Sequence, residues 1–226
     1  MKITYFGHAA FMVEVGGQKI LFDPFITPNE LAKDIDINSL QPDVILVSHA
    51  HQDHIVDVEA IAKNANANVV ATFEVANYFA GLGVEKVTPM NHGGTVKFDF
   101  GKVKMVNAIH TSSFPDGSYG GNPAGFVIST AEGSFYYAGD TALTYDMKLI
   151  AEEFDLKFAI LPIGDHFTMG IDDALKAADF VGTTQIVPMH FDTFPPIAVE
   201  KESCLEKAKA AGKALHFIEI GKSVNL

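Results

Sequence analysis

Residues 43–54, Asp43-Val44-Ile45-Leu46-Val47-Ser48-His49-Ala50-His51-Gln52-Asp53-His54, join an apolar run to a cluster of three histidines and one carboxylate. The run Val44–Val47 has no polar alternation, as expected of a strand buried on both faces. The cluster sits where that strand would end. Imidazole and carboxylate are the donors that borderline ions such as zinc prefer. His49 and His51 are two residues apart and can converge on one ion from an extended or turn backbone. Asp53 and His54 fall at the start of the next helix and can face a second ion. The chain has only 9 histidines. Three of them within six residues at a strand end is poorly explained by chance.

Around this segment the chain reads as alternating strands and helices. Strands are expected over 2–6, 11–15 and 19–22, turning at Gly16-Gly17 and ending at Asp23-Pro24 in the style of an antiparallel meander. Further strands are expected at 69–71, 86–89, 95–98, 103–109, 124–130, 134–138, 157–162, 185–188 and 214–219. Helices are expected over 55–63, 73–80, 144–153, 171–181 and 200–211. Hairpins open each half and strand–helix alternation follows. This predicts an α/β class of protein: two packed mixed sheets with helices outside, in one domain over 1–226 with halves of roughly 1–110 and 111–226.

Composition narrows the function. The 226 residues are 48% hydrophobic, enough for a sizeable core. Mean hydropathy is slightly positive, yet no apolar run approaches the roughly 18 residues of a membrane helix. The opening residues, Met1 to His8, lack the build of a signal peptide, so a cytoplasmic location is the expectation. Net charge is −12, and the sequence contains no arginine. That disfavours nucleic acid and anionic membrane as partners and leaves a small molecule as the expected substrate. The single cysteine, Cys204, excludes a disulfide framework and a thiolate metal site, and is expected to be an ordinary semi-buried thiol.

The H-x-H-x-D-H motif resembles the signature of the metallo-β-lactamase superfamily, and the resemblance extends along the chain. His110 follows Val103–Ile109, Asp140 lies in Tyr137-Ala138-Gly139-Asp140-Thr141, and His190 follows Ile186–Met189. Alone, each could be a structural histidine or a helix-capping aspartate. The resemblance implies an αββα four-layer sandwich holding two divalent ions, zinc first, with manganese or iron acceptable to the same donors. It implies His49, His51 and His110 on one ion, Asp53, His54 and His190 on the other, and Asp140 between them. The implied activity is metal-dependent hydrolysis by a metal-bound hydroxide of a small ester, lactone or phosphodiester, with Asp53 in the catalytic machinery. An iron-dependent oxidoreductase and a metal-stabilised module without catalysis are the alternatives on the same fold.

Three further stretches, Gly7-His8-Ala9, Gly164-Asp165-His166-Phe167-Thr168-Met169-Gly170 and His190-Phe191-Asp192-Thr193-Phe194-Pro195, resemble a narrower group. These are small metal-dependent hydrolases near the ascorbate-lactone hydrolase branch. By that resemblance His8 and His166 point into the site as proton donors or substrate contacts; otherwise they orient loops. Asp23 is expected to hold a ligand histidine through a hydrogen bond, or else to be a turn former before Pro24. The Ser- and Gly-rich segment 111–124 is expected to be a flexible roof over the metals, with Phe114, Tyr119 and Asn122 as candidate substrate contacts. His92 and His216 are read as turn and packing residues.

Overall fold

The computed structural model describes residues Met1 to Leu226. It begins with the expected meander. Strands β1 (Lys2–Gly7), β2 (Ala10–Val15) and β3 (Gln18–Phe22) pair antiparallel, and β2 turns into β3 at Gly16 and Gly17, with φ of 59° and 77°. Positive φ at both central residues matches the twist of the flanking strands, and glycine supplies it without steric cost. Strands β4 (Val44–Leu46), β5 (Asn68–Thr72) and β6 (Val87–Met90) then add in parallel. Parallel neighbours need crossovers. Those between β4 and β6 contain α1 (Gln52–Ile55), α2 (Val58–Ala65) and α3 (Phe73–Gly81).

The second half repeats this plan. Strands β7 (Thr95–Phe98), β8 (Gly101–Asn107), β9 (Ala124–Thr130) and β10 (Gly133–Tyr137) run antiparallel. Strands β11 (Leu156–Pro162), β12 (Gln185–Met189) and β13 (Ala214–Leu215) follow in parallel. Helices α4 (Met147–Glu153), α5 (Ile171–Phe180) and α6 (Lys201–Ala210) lie in the connections. The last strand, β14 (Ser223–Asn225), returns to the first sheet and pairs with β1. The two seven-stranded sheets have orders β14-β1-β2-β3-β4-β5-β6 and β13-β12-β11-β10-β9-β8-β7.

Both faces of the first sheet are buried, as the apolar runs require. Ile20, Phe22, Val44, Leu46 and Val70 join the large core shared with the second sheet. Their neighbours Leu21, Ile45, Val47, Val69 and Ala71 pack into the smaller core with α2 and α3. Alternation of adjacent side chains between faces produces this division.

Three boundaries differ from expectation. The helix expected over 55–63 is broken at Val56-Asp57, because the Asp57 carboxylate accepts from Ile26 N (2.6 Å) and Thr27 N (2.8 Å) and so serves the turn after β3. The strand expected over 214–219 stops at Leu215; Gly221, at φ 78°, turns the chain across to β1. The change of sheet comes between Met90 and Thr95 rather than near residue 110, so His110 belongs to the second half.

The pairing directions make β1, β3, β4 and β5 parallel to one another, and likewise β8, β10, β11 and β12. Their C-terminal ends therefore collect at one edge of each sheet. His8, Asp23, the His49–His54 cluster, His110, Asp140 and His190 all follow those ends.

Candidate metal centre

The loop after β4 carries His49 and His51, the latter on extended backbone, and α1 begins at Gln52, placing Asp53 and His54 in its single turn. His49 Nε2 lies 3.0 Å from His51 Nδ1. His49, His51 and His110 form one group whose donor atoms lie within 4.8 Å of one another, and His8, Asp53, His54 and His190 form a second. Asp140, at the end of β10, lies between them. Its Oδ2 is 3.4 Å from His110 Nε2, 3.9 Å from His49 Nε2, 3.4 Å from His54 Nε2 and 3.0 Å from His190 Nε2. All seven residues predicted as ligands therefore converge, from both sheets, on one place.

Supporting contacts fix which nitrogen of two of the rings faces inward. Asp23 is fully buried. Its Oδ1 accepts from Ser48 N (2.7 Å), and its Oδ2 accepts from Ser48 Oγ (2.5 Å), Tyr137 Oη (2.7 Å) and His54 Nδ1 (2.8 Å). Because Ser48 Oγ donates to Asp23, it accepts from His49 Nδ1 at 2.9 Å. Asp23 thus orients two rings, one directly and one through Ser48, and leaves both Nε2 lone pairs facing the centre. On the opposite side, Thr141 Oγ1 accepts from Ile109 N (3.0 Å), tying the backbone before His110 to the residue after Asp140.

Two orphaned atoms test whether this set fits a metal. His54 Nε2 and Asp140 Oδ1 are buried and have no hydrogen-bond partner. A buried polar atom left unpaired costs about 1–3 kcal/mol. Cations placed between the two donor groups would satisfy both atoms, and an all-His/Asp donor set suits a divalent transition ion.

The electrostatics agree. Burial pulls His49 well below its ordinary range, and the neighbouring His54 adds to the effect. Burial likewise lowers His51 and His110, which favours the neutral rings that a metal ion would require. Burial lowers His8 to about 4, partly opposed by its hydrogen bond to Asp53. Asp140 and Asp53 are pushed up by burial but end well below the usual carboxylate range. For Asp140 the charges of His190 and His54 decide this, and for Asp53 the His8 hydrogen bond. Burial pulls His54 down too, yet Asp140 and Asp23 outweigh it and hold the ring well above its ordinary value. Two buried carboxylates around one imidazole call for positive charge, which a proton or a metal ion can supply.

Other predicted residues separate. His8 is in the centre: Nε2 is 3.1 Å from Asp53 Oδ2 and Nδ1 is 2.9 Å from Thr193 Oγ1. His166 is exposed on a turn, makes no side-chain hydrogen bond and packs edge-on to Phe167; it is not brought to the ligands. Phe114, expected at the substrate, is instead buried, with its ring stacked on Tyr78 of α3 at 4.0 Å, so its place is in the smaller core. Tyr119 and Asn122 are exposed and paired, Tyr119 Oη donating to Asn122 Oδ1 at 3.1 Å. The flexible roof expected over 111–124 is a braced hairpin. Ser112 Oγ accepts from Ala50 N (3.1 Å) and donates to Gly120 O (2.8 Å), and Phe114 N donates to Ser118 O (2.9 Å). Gly120 is required here, since a Cβ would collide with Ala50 in the ligand loop. His92 and His216 hydrogen-bond elsewhere, to Pro123 O and Gln185 Oε1.

Sequence reasoning missed Ser48, Tyr137, Thr141 and Thr193 as supports. All four stood inside motifs it had quoted, but nothing in a linear string shows which ligand each one touches.

Comparison with known proteins gives a consistent answer. The model of the Beta-lactamase superfamily domain matches residues 2–190. The chain is 55% identical over 226 residues, covering all of both proteins, to a UPF0173 metal-dependent hydrolase of Flavobacterium johnsoniae. It is 55% identical over 227 residues to another from Christiangramia forsetii, again over all of both. Among solved structures it is similar to Igni18, a metallo hydrolase from the archaeon Ignicoccus hospitalis. That likeness has 35% identity and a TM-score of 0.89 over 99% of this chain and 97% of the other. The chain belongs to the UPF0173 metal-dependent hydrolases, a family of enzymes on the metallo-β-lactamase fold.

Proposed function

We propose that the centre holds two divalent ions and that the enzyme hydrolyses a small ester, lactone or phosphodiester. The observation that carries this reading is the position of Asp140 Oδ2, 3.4 Å from His110 on one side and 3.4 Å from His54 on the other. A single carboxylate oxygen between two donor groups suits a bridging ligand. His49, His51 and His110 would hold one ion, and Asp53, His54 and His190 the other. Zinc suits these donors, and manganese or iron would also be accepted. Such ions, when bound, supply Lewis acidity and lower the pKa of water.

The protein's own groups supply positioning and proton transfer. Asp23 and Ser48 keep His49 and His54 in the ligating tautomer. Asp53 Oδ2 and His8 Nε2, 3.1 Å apart with His8 steadied by Thr193, form a pair through which a proton of the attacking water would pass outward. Tyr119 and Asn122 are exposed and would be free to meet the outer part of a substrate, whereas His166 would reach one only if its turn moved. The whole chain, 1–226, works as one catalytic unit, because ligands come from both sheets and the final strand completes the first.

Metal analysis of purified protein by mass spectrometry, combined with a panel of chromogenic esters, lactones and phosphodiesters, tests this. About two equivalents of metal are expected, with turnover lost at least about 10³-fold in His51→Ala and Asp140→Ala. Equal turnover by these variants and wild type would sink the reading. Stoichiometric iron with a visible absorption band would point to the oxidoreductase alternative.

A further inference from the structure

The two donor groups of the centre are not equivalent. One is His49, His51 and His110; the other is Asp53, His54 and His190, with His8 beside them. Asp140 lies between, but its Oδ2 is nearer to the second group. It is 3.0 Å from His190 Nε2 and 3.4 Å from His54 Nε2, against 3.4 Å and 3.9 Å for His110 and His49 Nε2. An ion among the three histidines would face one carboxylate, Asp140. An ion in the other group would face two, Asp53 and Asp140, and each nearby unit charge adds attraction.

Hydrogen bonding separates the groups further. His49 Nδ1 donates to Ser48 Oγ, which leaves its Nε2 as an acceptor. His51 Nδ1 lies 3.0 Å from that Nε2 and can donate to it. The three-histidine group can therefore satisfy this inner pair by itself, and a metal ion there must shift the His51 proton off Nδ1. The other group lacks such a pair at His54. His54 Nδ1 donates to Asp23, so its Nε2 is also an acceptor, and it faces Asp140 Oδ2, another acceptor. His54 Nε2 and Asp140 Oδ1 are buried without a partner. Facing acceptors call for positive charge between them. Burial points the same way. In the second group only Asp53 is half-buried, whereas His51 and His110 both are in the first. The outer nitrogen of His51 meets the exposed Thr111 hydroxyl at no less than 3.4 Å.

We propose that Asp53, His54 and His190 form the tighter metal site, which fills first and empties last, and that the ion on His49, His51 and His110 is the exchangeable one. The proposal rests on the two-ion reading above and gives it an order. When metal is scarce, the protein carries a single ion, on the Asp53 side of Asp140.

The test counts and locates metal, and no outcome depends on turnover. Zinc-loaded full-length protein is equilibrated against chelator buffers that fix free zinc, and bound zinc is read by mass spectrometry. The wild type should empty in two steps separated by at least about tenfold in free zinc, as expected for one further carboxylate beside a divalent ion. Crystals of protein poised between the steps should show zinc anomalous scattering between Asp53, His54 and His190. His110→Ala should lose the weaker step and keep the tighter, and His190→Ala should lose the tighter. Scattering among His49, His51 and His110 in the half-loaded wild type, or release of both ions in one step, would overturn the order even if either variant failed to fold. Both results would leave the two-ion reading standing. One ion in total, seated between Asp53, His54 and His190, would keep the tight site and remove the second ion from that reading. No bound zinc would overturn both.

Discussion

Asp23 accepts four hydrogen bonds although no water reaches it, and two of its donors are His54 Nδ1 and the Ser48 hydroxyl that holds His49. Its carboxylate sets the direction of two imidazoles without belonging to the ligand set proposed above. Asp23→Asn should keep the shape but replace an acceptor by a donor, and metal affinity should fall about 10–100-fold in a competitive chelator titration. Unchanged affinity would show that packing alone orients the rings. The adjacent tyrosines Tyr136 and Tyr137 make a second residue-scale contrast. Both are fully buried, but Tyr137 Oη donates to Asp23 while Tyr136 Oη has no partner. Tyr137→Phe should destabilise by about 1.5–3 kcal/mol, the range for a hydrogen bond to a charged group. Tyr136→Phe should be neutral or stabilising, because it removes an unpaired hydroxyl from the core. Urea unfolding of the two variants separates them, and equal losses would contradict this assignment.

At the scale of elements, the turn between β11 and α5 holds two consecutive non-glycine residues in the left-handed region, Asp165 at φ 58° and His166 at φ 51°. Each costs about 1–2 kcal/mol in that conformation. His166→Gly should therefore raise stability by about 0.5–1 kcal/mol after glycine's own entropy cost. If His166 contacts substrate, the same variant lowers kcat/KM. Gained stability with undiminished activity would assign the turn to structure alone. This turn also shows where sequence reading stopped. The centre was legible because its chemistry is written in short strings at strand ends: His49 to His54, Tyr137 to Thr141, and His190 after β12. Periodicity likewise located β4, β7 and β9 closely. Features set by distant partners were not legible. The helix break at Asp57 depends on Ile26 and Thr27, the inward turn of Phe114 depends on Tyr78, and the short β14 depends on the free edge of β1. The exposure of His166 is of the same kind, since its motif gave the residue but not the direction of its side chain.

For the molecule as a whole, the centre joins the two sheets. His49, His51, Asp53 and His54 come from the first sheet, and His110, Asp140 and His190 from the second. Bound ions would tether the layers and stabilise the native state by mass action. Each ion at 100 times its dissociation constant contributes about 2.7 kcal/mol. For a chain of this length that raises Tm by about 5–10 °C per ion. Differential scanning fluorimetry of chelator-treated protein, with zinc added back, reads this directly. An unmoved Tm would mean that the ions bind folded and unfolded chains alike.

The sheet orders carry one more consequence. Position by position, β14 stands in the first sheet where β7 stands in the second, β1 where β8 stands, and so on to β6 and β13. The first sheet thus takes its leading strand from the end of the chain. Leu226 N donates to Met1 O at 3.1 Å, so the two ends of the backbone nearly meet. The path is in effect a ring, and the two halves correspond only in cyclic order. In that order His8 after β1 is the counterpart of His110 after β8, and Asp23 after β3 of Asp140 after β10. The two halves thus differ at matching stations: one aspartate reaches the His donors and its counterpart holds their rings in place.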